Sequence, residues 1–453
     1  MSIGVFKLSR FSNEFIFGTA TSSYQIEGAY QEDGRTPSIW DHFSRIPGKV
    51  RNMENGDVAC NHYHRYEEDV EILKRLGVDS YRFSIAWPRI FPEPGKYNPT
   101  GMDFYKRLIT SLRENNIKPA VTLYHWDLPM WAYKRGGWIN RDSVHWFLEY
   151  AEKCFSELDD MVYLWITHNE PWCAGFLGYH QGIHAPGHTD MEEALKAVHH
   201  ILLSHGATVD LLKNKLQSKT PIGITLNLSP VYPASSSMND LLAANNADGY
   251  SNRWFLDPIF KGKYPVDMMN LFSKYVHDFN LVQEGDLEQI SIECDFLGIN
   301  YYSRNLVQFV GASDLLFKPA FSEYEKTSMG WDIAPNEFKD LIRRLRKEYT
   351  KLPIYITENG AAFDDYLSED GKIYDHDRQR YIELHLKAIA DLNEEGMNIV
   401  GYYLWSLLDN FEWAYGYSKR FGITYVDFET QQRILKESGI RYAEIIRSRT
   451  INS

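Results

Sequence analysis

The sequence predicts an α/β fold, a single (β/α)8 TIM barrel spanning residues 1–453 with long loops at the C-terminal face of its strands. Three features predict it. Eight short apolar runs alternate with stretches of helical period, no low-complexity linker or charge block divides them, and polar residues collect where the runs end. Continuous apolar strands are buried on both faces, the condition of a parallel sheet. An eightfold alternation closes as a barrel, and barrels of this kind carry their sites at the C-terminal strand ends.

The first run, Phe15 to Thr21, leads into Ser22-Ser23-Tyr24-Gln25-Ile26-Glu27-Gly28-Ala29, read as a loop that carries Gln25 and Glu27. Residues 30–60 are rich in Gly, Pro, Asp and Asn and predict a long loop. A helix follows, with Tyr66, Val70, Leu73 and Leu76 on one face and Gly77 as its stop. The second strand, Ser80 to Ala86, holds Arg82, and a guanidinium inside a barrel strand has to find an anion. After a helix near residues 103–112, the third strand runs from Lys118 to Tyr124 and ends in His125-Trp126-Asp127, where His125 is read as ligand-binding. Val144, Phe147, Leu148, Ala151, Phe155 and Leu158 trace the next helix.

The fourth run, Met161 to Ile166, reaches Thr167-His168-Asn169-Glu170-Pro171, and a helix follows near residues 192–212. The fifth strand is Ile222 to Leu228. A mixed region, 230–293, precedes the sixth, Cys294 to Ile299, which ends in Asn300-Tyr301-Tyr302-Ser303. Residues 304–350 read as an insertion plus a basic amphipathic helix near 337–349. The seventh run, Pro353 to Ile356, delivers Thr357-Glu358-Asn359-Gly360. A helix at 376–392, an eighth strand from Ile399 to Leu404, the stretch Trp405 to Trp413 and a last helix near 435–447 complete the pattern.

Net charge is −13, from 48 Lys and Arg against 61 Asp and Glu, which argues against nucleic-acid or anionic-membrane partners. Aromatic residues reach 15%, and Trp and Tyr, which set a flat apolar face beside a polar group, suit a carbohydrate site. Cys60, Cys154, Cys173 and Cys294 are far apart and read as reduced thiols. The stretch Met1 to Asn13, with Lys7 and Arg10, lacks the apolar core of a signal peptide, and no run reaches the length of a membrane span. A cytoplasmic protein is expected. His62 with His64, and His199 with His200, raise a metal-dependent hydrolase as an alternative, but both pairs fall in or beside helices and are read as structural.

Glu170 and Glu358 both stand where a buried strand meets a loop, each in a pentapeptide closed by a turn-former, Pro171 or Gly360. A carboxylate there costs desolvation unless neighbours satisfy it. Hydrolysis of a sugar acetal needs two carboxyl groups flanking one bond, and these two are the candidate pair.

Four stretches in order carry a resemblance across essentially the whole chain: Phe15 to Ala29, Asn169-Glu170-Pro171, Thr357-Glu358-Asn359-Gly360, and Trp405 to Trp413. The chain resembles glycoside hydrolase family 1, the β-glucosidase and β-galactosidase family. The resemblance implies a retaining β-glycosidase with Glu358 as nucleophile and Glu170 as acid/base, acting on terminal β-D-glucosyl, and also β-D-galactosyl or β-D-fucosyl, residues. It implies that Arg82 and Tyr302 hold Glu358 ionised and that Asn169 binds the sugar 2-hydroxyl. Gln25, His125, Trp126, Trp405, Glu412 and Trp413 would line the pocket for the non-reducing sugar, with Trp172, His184 and Trp331 on the leaving-group side. Relatives that act on 6-phosphorylated sugars look different, with serine where this chain has Glu412 and a lysine and tyrosine gripping the phosphate. A carboxylate at 412 would repel phosphate, so an unphosphorylated glycoside is expected, although Lys419 and Tyr417 lie close by. Thioglucosidases of the family carry glutamine at the acid/base, unlike Glu170. No mechanism is drawn from His168. No metal and no cofactor are expected, the partner is a small-molecule glycoside, and homo-oligomerisation stays open. A 6-phospho-β-glucosidase and a non-catalytic sugar-binding barrel are the rival readings.

Overall fold

The structure is a computed structural model that describes residues 8–276 and 281–452. The start of the N-terminal stretch, with Lys7, and positions 277–280 of the mixed region lie outside the described residues. Eight strands form the centre: β1 (Ile16–Ala20), β2 (Ser80–Ser84), β3 (Lys118–Tyr124), β4 (Leu164–Asn169), β5 (Ile222–Asn227), β6 (Phe296–Asn300), β7 (Ile354–Asn359) and β8 (Ile399–Trp405). Each pairs in parallel with the next, and β8 pairs with β1 from Gly401 opposite Ile16 to Trp405 opposite Ala20, so the barrel closes. Every residue of β1, β2, β4 and β6 is buried, polar ones such as Arg82 and Thr167 included, as strands covered on both faces require.

The helices wrap the outside: α1 (His62–Leu76), α2 (Pro99–Glu114), α3 (Ser143–Leu158) and α4 (Met191–Asp210) follow the early strands. Gly77 stops α1 in the left-handed conformation, its N–H reaching back to the Leu73 and Lys74 carbonyls. The mixed region resolves into α5 (Met238–Asp248), α6 (Trp254–Lys261), α7 (Val266–Phe272) and α8 (Asp286–Ile290). Then come α9 (Pro335–Glu348), α10 (His376–Glu394) and α11 (Glu437–Ser448). Among the described residues no helix is long and apolar enough to cross a membrane.

Three details differ from the sequence reading. Gln25 sits on a one-turn helix, Ser23–Ile26, rather than an open loop, and Glu27 turns away to bond Arg89 and Tyr105. The insertion after β6 contains an antiparallel hairpin, Asn305–Phe309 with Phe317–Pro319, and its first strand pairs in parallel with Val231–Pro233. The two regions of the chain with the least readable pattern therefore cover one another over the barrel mouth side. The third concerns Gly360. Its φ is not in the left-handed region, so it is no turn glycine; a Cβ there would stand 1.7 Å from the Trp405 carbonyl oxygen. Glycine lets the chain after β7 press against the end of β8.

A buried ion network anchors the chain beyond β8. Lys436, with no exposure, reaches Asp409 Oδ1 at 2.7 Å, and Asp409 Oδ2 also accepts from Arg420 at 2.6 Å. Asp365 joins Lys436 to Arg378, so the loops after β7 and β8 and the start of α11 share one set of charges.

Gly360→Ala forces backbone to move and is expected to destabilise by about 3 kcal/mol or more, lowering the thermal unfolding midpoint. Gly311→Ala, whose Cβ would meet only Phe309 at 3.6 Å, is expected to leave the midpoint unchanged in the same measurement.

Candidate active site

Arg82 points from the middle of β2 into the barrel and has no solvent exposure. Its Nη1 donates to Glu358 Oε1 at 2.7 Å and to the Thr357 carbonyl at 2.9 Å. Nη2 donates to Asn169 Oδ1 at 2.7 Å, and Nε to Thr122 Oγ1 at 3.2 Å. The anion that the sequence demanded for Arg82 is thus Glu358. On its other side Glu358 accepts from the Tyr302 hydroxyl, 2.6 Å from Oε2.

Glu170 follows the last residue of β4 and turns its backbone into the left-handed region, φ 49°. Trp126 and Trp413 do the same, at 74° and 50°. A non-glycine residue held there costs on the order of 1–3 kcal/mol, and such cost collects at functional sites. The Glu170 carboxyl accepts from Asn300 Nδ2 at Oε1, 2.6 Å, and from the Cys173 thiol at Oε2, 3.0 Å. Asn300 also donates to Asn169 Oδ1 at 3.0 Å. Asn169, Glu170, Arg82, Asn300, Tyr302 and Glu358, from β2, β4, β6 and β7, therefore make one hydrogen-bonded group.

The two carboxyls are held unequally. Burial, and then the charge of Glu358, pushes Glu170 up to about 7. Burial pushes Glu358 up too, but there Arg82 opposes it most strongly, followed by the Tyr302 hydrogen bond. Only Glu358 touches a cation, so Glu358 gives up its proton first and Glu170 keeps its own. Glu412 is a third carboxyl in the group, pushed up to about 8 by burial and then by Glu358 and Glu170. Its Oε2 is buried without a partner among the described residues.

The polar residues beside this group are arranged for a ligand. His125 accepts at Nε2 from the Asn169 amide, 3.1 Å away, and burial, with Arg82 behind it, holds the ring neutral. That leaves the proton on Nδ1, a buried atom with no partner among the described residues. Trp413 stacks on His125 at 5.9 Å and packs on Trp126 at 4.5 Å, and Trp405 stacks on His125 at 5.9 Å. Trp126 donates to the Asn169 carbonyl. Gln25 accepts from Ser22 and spends its amide protons on Asn410 Oδ1 and the Phe411 carbonyl, which ties the short helix after β1 to the loop after β8.

The three residues expected on the leaving-group side lie apart from one another. Trp172 packs edge-on against Tyr250, 5.8 Å away, and Trp331 packs on Tyr302 at 5.3 Å. His184 lies on Trp126 at 5.3 Å, and so touches the aromatic group the resemblance gives to the non-reducing sugar. Lys419 donates to the Ser328 carbonyl and Tyr417 to the Asn55 carbonyl, so both heads are already engaged by backbone. Glu412 is pushed up to about 8, which weakens, around neutrality, the repulsion that its charge would exert on a phosphate. His168 sits in the core against Phe147 and bonds Ser204. His62 bonds Asp69, His64 bonds Glu32, His199 bonds Tyr264 and Asp286, and His200 bonds the Trp138 carbonyl. Among the described residues no three His, Cys, Asp or Glu side chains gather as metal ligands.

The sequence reading passed over Asn300 and Cys173. Asn300 is the first polar residue beyond the sixth apolar run, the same strand-end position that marked Asn169 and Glu358, and that signal could have found it. Cys173 follows Glu170 by three residues, one helical turn, but a buried cysteine reads as packing.

The model of the family described as "Glycosyl hydrolase family 1" matches residues 7–451. The chain belongs to glycosyl hydrolase family 1. Among members of the family, β-glucosidase A of Acetivibrio thermocellus is 49% identical over 97% of this chain and 98% of its own length. A bifunctional β-D-glucosidase/β-D-fucosidase of Bifidobacterium breve is 42% identical over 96% and 98%. The crystal structure of the family 1 β-glucosidase from Exiguobacterium antarcticum superposes with a TM-score of 0.96 at 69% identity, covering 97% of this chain and 99% of that one. The family 1 β-glucosidase of Thermotoga maritima in complex with isofagomine lactam superposes at 0.94 and 43% identity, covering 98% and 100%.

Tyr302→Phe removes one of the donors, with Arg82 and Asn300, that favour the ionised form of Glu358, so the pKa of that carboxyl is expected to rise by about one unit. Carboxyl-labelled NMR titration of Tyr302→Phe against the double variant Tyr302→Phe/Glu358→Gln reads the shift directly.

Proposed function

We propose that this protein is a retaining β-glucosidase that removes terminal, non-reducing β-D-glucosyl residues from β-glucosides and short oligosaccharides such as cellobiose, and accepts β-D-fucosides and β-D-galactosides. The observation that carries the reading is the unequal pair: Glu358 gripped by Arg82 and Tyr302, and Glu170 pushed up to about 7 by burial and by Glu358. In the first step the Glu358 carboxylate attacks the anomeric carbon while Glu170 gives its proton to the departing oxygen. The ester formed on Glu358 carries no charge, so one of the two causes that raise Glu170 disappears. Its pKa falls, and it takes a proton from the water that cleaves the ester.

Asn169, held between Arg82 and His125, is assigned to the 2-hydroxyl, where a contact strengthens as charge develops on the ring. His125 Nδ1–H and Glu412 Oε2 offer unspent buried hydrogen-bonding capacity, which suits vicinal hydroxyls, and the indoles of Trp126, Trp405 and Trp413 offer apolar faces to the ring. Gln25 serves the same pocket from the short helix after β1, and Trp172 and Trp331 serve its outer side, while His184 backs Trp126. The whole chain, residues 1–453, works as one catalytic unit, a reading supported by the closed barrel and a family match from 7 to 451. The four buried free thiols favour the cytoplasm. A role late in cellulose breakdown is supported by Thermotoga neapolitana relatives named 1,4-β-D-glucan glucohydrolase, 44% identical to this chain.

Among chromogenic β-glucoside, β-galactoside, β-fucoside and 6-phospho-β-glucoside, the β-glucoside is expected to be cleaved fastest and the phosphorylated sugar not at all; preference for the phosphosugar would overturn the reading of Glu412. Glu358→Ala is expected to abolish turnover, and retained activity would remove the mechanism. Because Glu170 must hold its proton in the free enzyme, kcat/KM should fall as pH rises through about 7. Glu170→Gln should lose about 10²–10⁴-fold on a poor leaving group and far less on 2,4-dinitrophenyl β-glucoside, which departs without a proton.

A further inference from the structure

The donors and acceptors around Glu170 can be assigned from one group whose chemistry is unambiguous. A guanidinium only donates, so the Asn169 atom 2.7 Å from Arg82 Nη2 is its carbonyl oxygen. The Asn300 atom 3.0 Å from that oxygen must then be the amide nitrogen. The same nitrogen stands 2.6 Å from Glu170 Oε1, so Oε1 accepts an N–H, a bond that the carbonyl oxygen of a carboxylic acid makes better than its hydroxyl oxygen, and a proton on the carboxyl is favoured at Oε2. The far end of the Asn300 amide agrees: Oδ1 accepts from Thr357 Oγ1 at 2.9 Å, and Thr357 is in turn met by Thr225 Oγ1 at 3.1 Å. Arg82 thus sets the direction of every bond from β2 through β4 to β6.

We propose that Asn300 is a positioning residue for the acid/base: by committing Oε1 of Glu170 to accepting, it places the transferable proton on Oε2, beside the thiol of Cys173. A thiol can both donate and, weakly, accept. When Glu170 is ionised the Cys173 S–H donates to Oε2; when Glu170 is protonated the Oε2–H turns to the sulfur or to the substrate. In the first chemical step the O–H bond at Oε2 breaks, its electron pair stays on Glu170, and the proton joins the departing oxygen. An acid free to protonate on either oxygen would present its proton in the wrong place part of the time.

Other groups that bear on the titration of Glu170 are Glu358 on β7, Arg82 on β2, Glu412 beyond β8 and Tyr302 beyond β6. Asn300 and Cys173 are the two that touch its oxygens, and each favours the ionised form. Removing either donor therefore raises the pKa of Glu170 and moves the alkaline limb of the rate profile to higher pH.

The inference rests on Glu170 acting as the acid/base, and the test separates the two. In Asn300→Ala the alkaline limb of kcat/KM is expected to move up by about one pH unit. On an alkyl β-glucoside kcat/KM should fall at least about tenfold further than on 2,4-dinitrophenyl β-glucoside, since only the former needs a proton. Cys173→Ala should move the limb in the same direction and Cys173→Ser should restore it, which keeps the idea testable if Asn300→Ala does not fold. In the infrared difference between wild type and Glu170→Gln below pH 6, the protonated Glu170 should show the lowered C=O frequency of a carbonyl that accepts a strong hydrogen bond. Equal losses on both glucosides with an unmoved limb, or the C=O frequency of a free carboxylic acid, would overturn the role of Asn300 while leaving Glu170 in place. If Glu170→Gln spares the alkyl glucoside, the acid role of Glu170 fails and this inference fails with it.

Discussion

The ion pair between Arg82 and Glu358 is the constraint on which the site depends. A guanidinium with no exposure is tolerable only when an anion and good acceptors surround it, and here one carboxylate, two carbonyl oxygens and a hydroxyl do so. Because the side chain is rigid and can only donate, it also orients whatever it touches. Asn169 presents its amide nitrogen to His125, which settles the imidazole tautomer, and its oxygen to Asn300. One buried cation thus keeps one glutamate charged, sets the tautomer of a histidine, and assigns the hydrogen-bonding roles around a second glutamate.

That arrangement explains why three nearby carboxyls do not defeat one another. Glu358 is compensated directly, whereas Glu170 and Glu412 have burial and like charge against them and stay protonated toward neutral pH. The difference is made by distance from Arg82, not by residue type. The barrel makes it possible, because four strands that are remote in sequence end at one mouth.

The barrel was legible because burial on both faces leaves an unambiguous trace: runs such as Lys118 to Tyr124 contain almost nothing else. Helix starts were less so; α2 begins at Pro99, four residues before the apolar spacing shows itself, because proline in the first turn contributes no face. Arg82, Asn169, Glu170, Tyr302 and Glu358 could be picked out because a polar residue at a buried strand end is conspicuous, and the structure brings them together. The pairing of Cys173 with Glu170, one helical turn away, was masked because a buried cysteine reads as packing, and that of Asn300 with Glu170 was not legible, since it depends on which strand ends face each other. Nor was the outer sheet, where Val231–Pro233 meets Asn305–Phe309 across more than seventy residues of chain. Nothing local announces such a partner.

That outer sheet couples two segments that are remote in the chain. Val307 faces Pro233 in the ladder and packs with Ala243 and Ala247 of α5, so the two segments share backbone bonds and a small core of their own. A length change in either one breaks pairing in the other. Exchange of one segment alone is expected to leave the other without its partner, whereas a chimera that grafts residues 230–250 and 304–320 together from one relative should keep the pairing intact.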